Sequence, residues 1–149
     1  MSGTETRSMS VEFCDTNILV YAYDTSAGGK RDRAMQLLNR LWDSENGAVS
    51  IQVLQELFVS LTRKVSRPLP ANDARTIVAD MATWQVMVPT AHDVLAAIDG
   101  TARWQVSFWD AMVLVAASRA DATVVWSEDL GDGQTYDGLV VRNPFRDVN

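Results

Sequence analysis

The sequence predicts a single α/β domain in which a central, mainly parallel sheet of about five strands is flanked by helices. Short apolar runs alternate along the chain with longer segments whose apolar residues recur every three or four positions. This alternation is typical of parallel strands that are joined by crossover helices. The chain has 149 residues, of which 47% are hydrophobic, and this is enough for one domain with a substantial core.

Each element is predicted from its own stretch of sequence. Apolar runs predict the strands, at 11–15, 48–51, 84–88, 122–127 and 139–142. Helical spacing predicts the helices, at 17–23, 31–44, 52–65, 72–83, 91–104 and 107–120. We expect Asn72 or Asp73 to cap the fourth helix, and Ser107 to cap the sixth with Asp110 in the capping-box position. The sixth helix is apolar around much of its circumference, so we expect it to be buried at the centre.

Glycine and proline mark the boundaries between these elements. A break that contains two glycines, at 26–29, separates the first two helices, and Gly47 precedes the second strand. Pro68 closes the third helix, and Pro89 ends the third strand. A loop rich in Gly and Asp joins the fourth strand to the fifth.

We expect no targeting signal in the N-terminal residues. Residues 1–10 are polar and lack the apolar centre of a signal peptide. No apolar run approaches the roughly 18 residues that a membrane span requires. We therefore expect a flexible tail at 1–10, a single domain at 11–149 and a cytoplasmic protein without membrane contact.

The chain holds one cysteine, Cys14, and one histidine, His92. These counts exclude an internal disulfide framework and a Cys-based zinc site, and they argue against Ser-His and Cys-His hydrolases. Cys14 lies within an apolar strand pattern and is expected to be a small buried hydrophobe, whereas His92 is expected at the surface. Hydrolytic chemistry in this chain would therefore have to use carboxylates.

The net charge of −6 is unusual for an enzyme that acts on nucleic acid, because such proteins present basic patches. If five of the acidic residues belong to one metal site, however, the rest of the chain is nearly neutral. Two basic clusters could then contact an RNA backbone, or each could be only a solvated helix end. The members of the two clusters are Lys30, Arg31 and Arg33, then Arg63, Lys64 and Arg67.

Four acidic residues from distant parts of the chain are predicted to lie at one edge of the sheet. Asp15 ends the first strand, and Asp129 follows the fourth. Glu56 lies in the early turns of the helix after the second strand, and Asp110 lies in the first turn of the sixth helix. In such sheets, ligands bind beyond the carboxyl ends of the strands. Each acid alone could instead be a helix cap, a turn former or a solvated residue.

A cluster of carboxylates needs a cation to be tolerable. Two carboxylates about 4 Å apart repel by roughly 4 kcal/mol at an effective dielectric constant near 20. Mg²⁺ prefers oxygen ligands and binds through one or two carboxylates together with water and phosphate. It can also generate hydroxide from water and stabilise charge on a phosphodiester, so no histidine base is required.

At this point the sequence resembles the PIN-domain family, and in particular the VapC-type toxins of bacterial toxin–antitoxin pairs. Four motifs carry the resemblance in the order and spacing of the family: FCDTNIL at 13–19, SIQVLQELF at 50–58, SFWDAM at 107–112 and SEDLGDG at 127–133. The resemblance extends from about Val11 to Phe145, which is nearly the whole chain.

The resemblance implies a PIN-like three-layer fold, an endoribonuclease activity that depends on Mg²⁺ or Mn²⁺, and frequent homodimerisation. It also implies inhibition by a cognate antitoxin that inserts a peptide near the metal site. The matched acidic positions, which would be catalytic and metal-binding, are Asp15, Glu56, Asp110 and Asp129. The matched supporting positions are Thr16, Asn17, Ser127 and, less closely because this loop varies in the family, Asp132. The proposed RNA contacts come from the basic clusters, at Lys30, Arg31, Arg33, Arg63 and Lys64.

Two other functions were considered from the sequence. A phosphatase with an aspartyl nucleophile would also begin with a strand that ends in Asp15. Those proteins, however, typically place a second Asp two residues later, where this chain has Asn17. A non-catalytic PIN scaffold that binds RNA or protein is the remaining alternative, and the presence of all four acids argues against it.

Overall fold

The computed structural model describes residues 10–148. Six strands form one sheet in the order β3-β2-β1-β4-β6-β5, in which every neighbouring pair is parallel except β5 with β6. The strands are β1 Val11–Cys14, β2 Gly47–Ser50, β3 Gln85–Met87, β4 Ala122–Trp126, β5 Thr135–Tyr136 and β6 Leu139–Arg142. The predicted α/β class and the mainly parallel sheet are therefore confirmed.

Six helices flank the sheet. They are α1 Thr16–Tyr23, α2 Gly29–Ser44, α3 Ile51–Arg63, α4 Ala71–Met81, α5 Ala91–Trp104 and α6 Phe108–Arg119. All six were predicted within a few residues. None of them is long and apolar enough to cross a membrane, within the residues described.

Strand β5 was missed because it contains only two residues and carries no apolar run. It forms a hairpin with β6, in which Tyr136 pairs with Leu139. The two connecting residues, Asp137 and Gly138, have φ values of 51° and 91°. Positive φ at both central residues is typical of a tight hairpin turn, and Asp-Gly is a strong signal for it. The sheet therefore has six strands rather than the five predicted.

The predicted cap of the fourth helix is wrong. Helix α4 begins at Ala71, and its N-cap is Pro70, which makes no side-chain capping bond. Proline fixes φ near the value that precedes a helix and lacks an N–H to satisfy, so the helix starts before Asn72 and Asp73. Ser107 does cap α6 as predicted, since its Oγ accepts a hydrogen bond from Asp110 N at 3.1 Å.

Helix α6 lies at the centre of the molecule, as its composition predicted. Six of its twelve residues are buried, and it packs against α5, β4 and β2. Cys14 is completely buried in the core, as expected for a small hydrophobe. His92 is exposed near the start of α5, as expected.

We expect Leu114→Ala on α6 to lower the free energy of unfolding by about 2–5 kcal/mol, because the substitution leaves a cavity in the core. Leu114 is completely buried, whereas Val88 is 61% exposed. Val88→Ala is therefore the control and should change stability by less than about 0.5 kcal/mol. Urea denaturation measures both variants, and equal losses would contradict the central position of α6.

Candidate active site

The site is built where the carboxyl ends of β1 and β4 meet. These strands are parallel neighbours, and Cys14 pairs with Trp126. The next residue of β1, Asp15, extends the pairing by donating its N–H to the Trp126 carbonyl oxygen at 2.9 Å. The residue after β4, Ser127, therefore lies beside Asp15. The sheet register thus brings residues 112 positions apart in sequence into contact.

Asp15 is both a helix cap and the most deeply buried acid of the site. It is 6% exposed, and its Oδ1 accepts a hydrogen bond from Thr16 N at 2.8 Å as the N-cap of α1. Its Oδ2 accepts from Ser127 Oγ at 2.9 Å and from Asn17 Nδ2 at 3.4 Å. These contacts hold the carboxylate in one orientation at the sheet edge.

Burial raises the pKa of Asp15 to about 6, from an ordinary value of 3.8. The hydrogen bonds from Ser127 and Thr16 oppose this shift, while the negative charges of Asp129 and Asp110 add to it. The charge of Asp15 is therefore unfavourable without a cation. Asp110 and Asp129 are therefore near enough for their charges to act on Asp15.

Asp129 is held in the turn that follows β4. Its Oδ2 accepts a hydrogen bond from Asn17 Nδ2 at 3.1 Å, and its N–H donates to Ser127 Oγ at 3.1 Å. Ser127 is completely buried and also accepts from Leu130 N at 3.2 Å. Asn17 and Ser127 each join the β1 side of the site to the β4 side. Both were predicted as supporting residues, and the structure places both between the acids.

Glu56 reaches the site from α3. Its Oε1 accepts a hydrogen bond from Thr16 Oγ1 at 2.8 Å, so the residue next to Asp15 orients Glu56. Gln52, one turn earlier on α3, donates from Nε2 to Glu56 Oε2 and to the Trp109 carbonyl oxygen, both at 3.5 Å. Gln52 was not predicted, although its spacing of four residues from Glu56 on a helix is a signal for such a contact.

Asp110 completes the set from the first turn of α6. Burial raises its pKa, a hydrogen bond with Ser107 opposes this, and the charges of Asp129 and Glu56 raise the pKa further. Within the described residues, no bond from the Ser107 N–H returns to the Asp110 carboxylate. The reciprocal capping box occurs instead on α5, between Thr90 and Asp93. The Asp110 carboxylate is therefore not used as a cap.

The remaining predicted supporting residue, Asp132, faces away from this group of acids. Its Oδ1 accepts from Asn143 N at 2.8 Å, and its Oδ2 lies 3.1 Å from Arg146 Nε. These contacts fasten the loop after β4 to the C-terminal segment. Among residues 10–148, no hydrogen bond joins Asp132 to the four acids of the site.

Two of the five predicted RNA contacts bind other parts of this chain. Lys30 forms an ion pair with Glu128, and Arg33 donates from Nη1 to the Pro144 carbonyl oxygen at 3.2 Å. The other three predicted RNA contacts are exposed on α2 and at the end of α3, at Arg31, Arg63 and Lys64.

Glu128, the neighbour of Asp129, is a further residue that the sequence did not single out. It accepts hydrogen bonds from Lys30 and from Tyr21 Oη, the latter at 2.7 Å. Burial raises the pKa of Glu128, but the bonds from Lys30 and Tyr21 and the charge of Lys30 lower it below its ordinary value. Glu128 is thus held as a carboxylate.

An open groove of about 590 Å³ runs from Glu56 and Asp129 along α1 and α3. Its lining includes Asn17, Glu56 and Asp129 at the site, Ser60 in the last turn of α3, and Lys64 just after that helix. Two of the four acids, Glu56 and Asp129, are thereby accessible to a large substrate, whereas Asp15 and Asp110 do not line the groove.

The donor set fits a hard divalent cation, although the side chains do not yet enclose one. Within residues 10–148, no group of three or more His, Cys, Asp or Glu side chains is already arranged to hold a metal ion. Mg²⁺ needs only one or two direct carboxylates, with water between the ion and the other acids. A buried carboxylate with a raised pKa beside two more carboxylates is the chemistry that such an ion would stabilise.

We expect Asp15→Asn to raise the metal-free stability at pH 8 by up to about 3 kcal/mol, because the folded protein raises the pKa of Asp15 from 3.8 to about 6 and so opposes the ionised form. The free-energy cost of ionising Asp15 in the folded protein is fully present above about pH 6 and absent below about pH 4. The stability gain of Asp15→Asn should therefore be absent below about pH 4. Urea denaturation in EDTA at both pH values measures it. Asp99→Asn, at an exposed position on α5, is the control, and a loss of stability at pH 8 in Asp15→Asn would contradict the account.

Several solved structures share this fold. A toxin–antitoxin complex from Klebsiella pneumoniae is 18% identical, with 91% of this chain and 98% of that chain covered and a TM-score of 0.68. DNA-bound VapBC from Salmonella typhimurium is 16% identical, with 91% and 99% covered and a TM-score of 0.64. Mycobacterium tuberculosis VapC20, described as a sarcin-ricin loop cleaving toxin, is 20% identical, with 76% and 86% covered and a TM-score of 0.58.

No curated protein sequence matches the chain significantly. The family model of the PIN domain, however, matches residues 13–131, which is most of the chain. The match begins just before Asp15 and ends just after Asp129, so it contains all four acids of the site. The chain therefore belongs to the PIN-domain family.

Proposed function

We propose that this PIN-domain protein is an endoribonuclease that uses Mg²⁺, or alternatively Mn²⁺, to hydrolyse RNA phosphodiester bonds. The observation that carries the proposal is that four acids come from four separate elements at the carboxyl edge of the sheet. They follow β1 and β4 and lie in early turns of α3 and α6, at Asp15, Asp129, Glu56 and Asp110. Hydrogen bonds through Thr16, Asn17 and Ser127 link three of them, and the charges of two neighbours raise the pKa of the fourth. Membership of the PIN family supports the same proposal.

The four acids would hold the cation, and the polar residues around them would orient the acids. When bound, a divalent cation lowers the pKa of water and stabilises the charge that develops on a phosphodiester. Ser127 and Asn17 keep Asp15 and Asp129 adjacent, and Thr16 keeps Glu56 beside them. Such fixed carboxylates are preorganised, which is the main contribution a protein makes to this chemistry.

The RNA would enter through the groove along α1 and α3. Lys64 lines that groove, and we propose that it binds a phosphate away from the scissile bond, with Arg63 and Arg31 contributing from the exposed surface. Lys30 and Arg33 are engaged within the chain, and they are weaker candidates for RNA contact than the sequence indicated.

We further propose that the protein is the cytoplasmic toxin of a toxin–antitoxin pair and forms a homodimer. The similar structures include a toxin–antitoxin complex and VapBC assemblies. Exposed apolar side chains offer surfaces for both partners. Near the site these are Phe58, Val59 and Trp109; on α5 they are Val94, Leu95 and Ile98.

We expect Asp110→Asn to reduce Mg²⁺-dependent RNA cleavage by more than about 100-fold, because changes in outer-shell partners alone cost roughly 10–100-fold. Cleavage of total or transfer RNA, with and without EDTA, measures this. Asp99→Asn on α5 is the matched control and should retain full activity. Cleavage that resists EDTA, or that survives in folded Asp110→Asn, would contradict the proposal. A wild-type protein that binds RNA without cutting it would instead be the interaction module considered above.

A further inference from the structure

Two helices converge on the residue that precedes Asp129. Glu128 accepts hydrogen bonds from Tyr21 Oη on α1 and from Lys30 Nζ on α2. Lys30 also lies 3.5 Å from Tyr21 Oη. The Glu128 side chain therefore joins the turn after β4 to both helices, while Asp129 next to it contacts Asn17 in the site.

Aromatic packing holds Lys30 in place. Its ammonium lies 4.8 Å from the centre of the Tyr21 ring and 5.5 Å from that of the Phe145 ring. Those two rings pack edge to face at 5.0 Å, and Phe145 is only 4% exposed. Both members of the Lys30–Glu128 pair are partly shielded from solvent, at 31% and 25% side-chain exposure. Such shielding strengthens a charged hydrogen bond relative to one at the open surface.

The Glu128 backbone is tied to the same acids. Its N–H donates to Asn17 Oδ1 at 3.1 Å, and the Nδ2 of Asn17 donates to both Asp15 and Asp129. A displacement of Glu128 would therefore move Asn17 and the turn that carries Asp129. In metal sites, such outer contacts commonly set the position of the acidic ligands.

From these contacts we propose that Lys30, Tyr21 and Glu128 form an anchor that positions Asp129 for metal binding and catalysis. The inference rests on the proposed function, because Asp129 is assigned there as a metal ligand. Lys30 is then a positioning residue and not an RNA contact. Lys30 neutralises the negative charge of Glu128, so Glu128 would not itself attract the cation. The anchor would act instead by fixing the geometry of the turn that carries Asp129.

The test removes the anchor without changing the net charge. The double variant Lys30→Met with Glu128→Gln should lower kcat on RNA about 10-fold and leave KM within about two-fold. The Mg²⁺ concentration at half-maximal thermal shift should rise by a similar factor, and this is read without RNA. The control is Glu12→Gln with Arg40→Met, which removes another ion pair of α2 at 2.8 Å and should change neither quantity.

Two milder variants guard against simple loss of folding. Lys30→Arg keeps the charged hydrogen bond and should retain most of the wild-type kcat. Tyr21→Phe removes one hydrogen bond and should lower kcat less than the double variant does. Wild-type kcat and metal response in the double variant would overturn the anchor. So would a rise in KM alone that is largest at low salt and shrinks as salt increases, since that would make Lys30 an RNA contact. If wild type binds Mg²⁺ but cuts no RNA, the proposed function fails. The Mg²⁺ concentrations at half-maximal thermal shift, compared between wild type and the double variant, would still test whether the anchor positions Asp129.

Discussion

The parallel pairing of β1 with β4 is the contact on which the site depends. The register that places Cys14 opposite Trp126 also places Asp15 next to Ser127, and the turn after Ser127 then carries Asp129 to the same edge. A shift of one residue would turn every side chain of the strand to the opposite face of the sheet. The core fixes this register, because Phe13 and Val125, which are paired across the two strands, are completely buried.

Folding this edge requires acidic groups to be held close together. Burial and neighbouring carboxylates raise the pKa of Asp15 and of Asp110, so part of the folding free energy opposes the site. The Ser127 hydroxyl, the Thr16 backbone N–H and the Asn17 amide offset some of the cost at Asp15 through hydrogen bonds. Carboxylates with raised pKa values, held in a destabilising arrangement, are typical of functional sites.

Much of the fold could be predicted because periodicity reports which face of an element is buried. Helix α6 is the clearest case, since apolar residues around most of its circumference predicted a buried helix, and six of its twelve residues are buried. Strand β5 was missed because two residues carry no periodicity, although Asp137-Gly138 signalled the turn. The start of α4 was misplaced because Pro70 needs no side-chain cap, whereas Asn72 and Asp73 resemble caps in sequence.

The placement of the four acids could also be expected from the sequence, since each follows a strand or lies in the early turns of a helix at the carboxyl edge of a parallel sheet. Their role as metal ligands stays a prediction. Their partners could be predicted only in part. Thr16, Asn17 and Ser127 are adjacent in sequence to the acids, but the contact of Lys30 with Glu128 spans 98 residues. It depends on how α2 packs over α1, which no local pattern reports. The ion pair of Asp132 with Arg146 was unforeseen for the same reason.

The central claim is that carboxylates and a cation, with no histidine base, drive attack by water on the phosphodiester. The most direct test is cleavage of a defined RNA in ¹⁸O-labelled water, with mass analysis of the product ends. Direct attack by water predicts one ¹⁸O atom in the new terminal phosphate and no 2′,3′-cyclic phosphate, and the reaction should stop in EDTA. Cyclic phosphate ends that form without added metal would contradict the account.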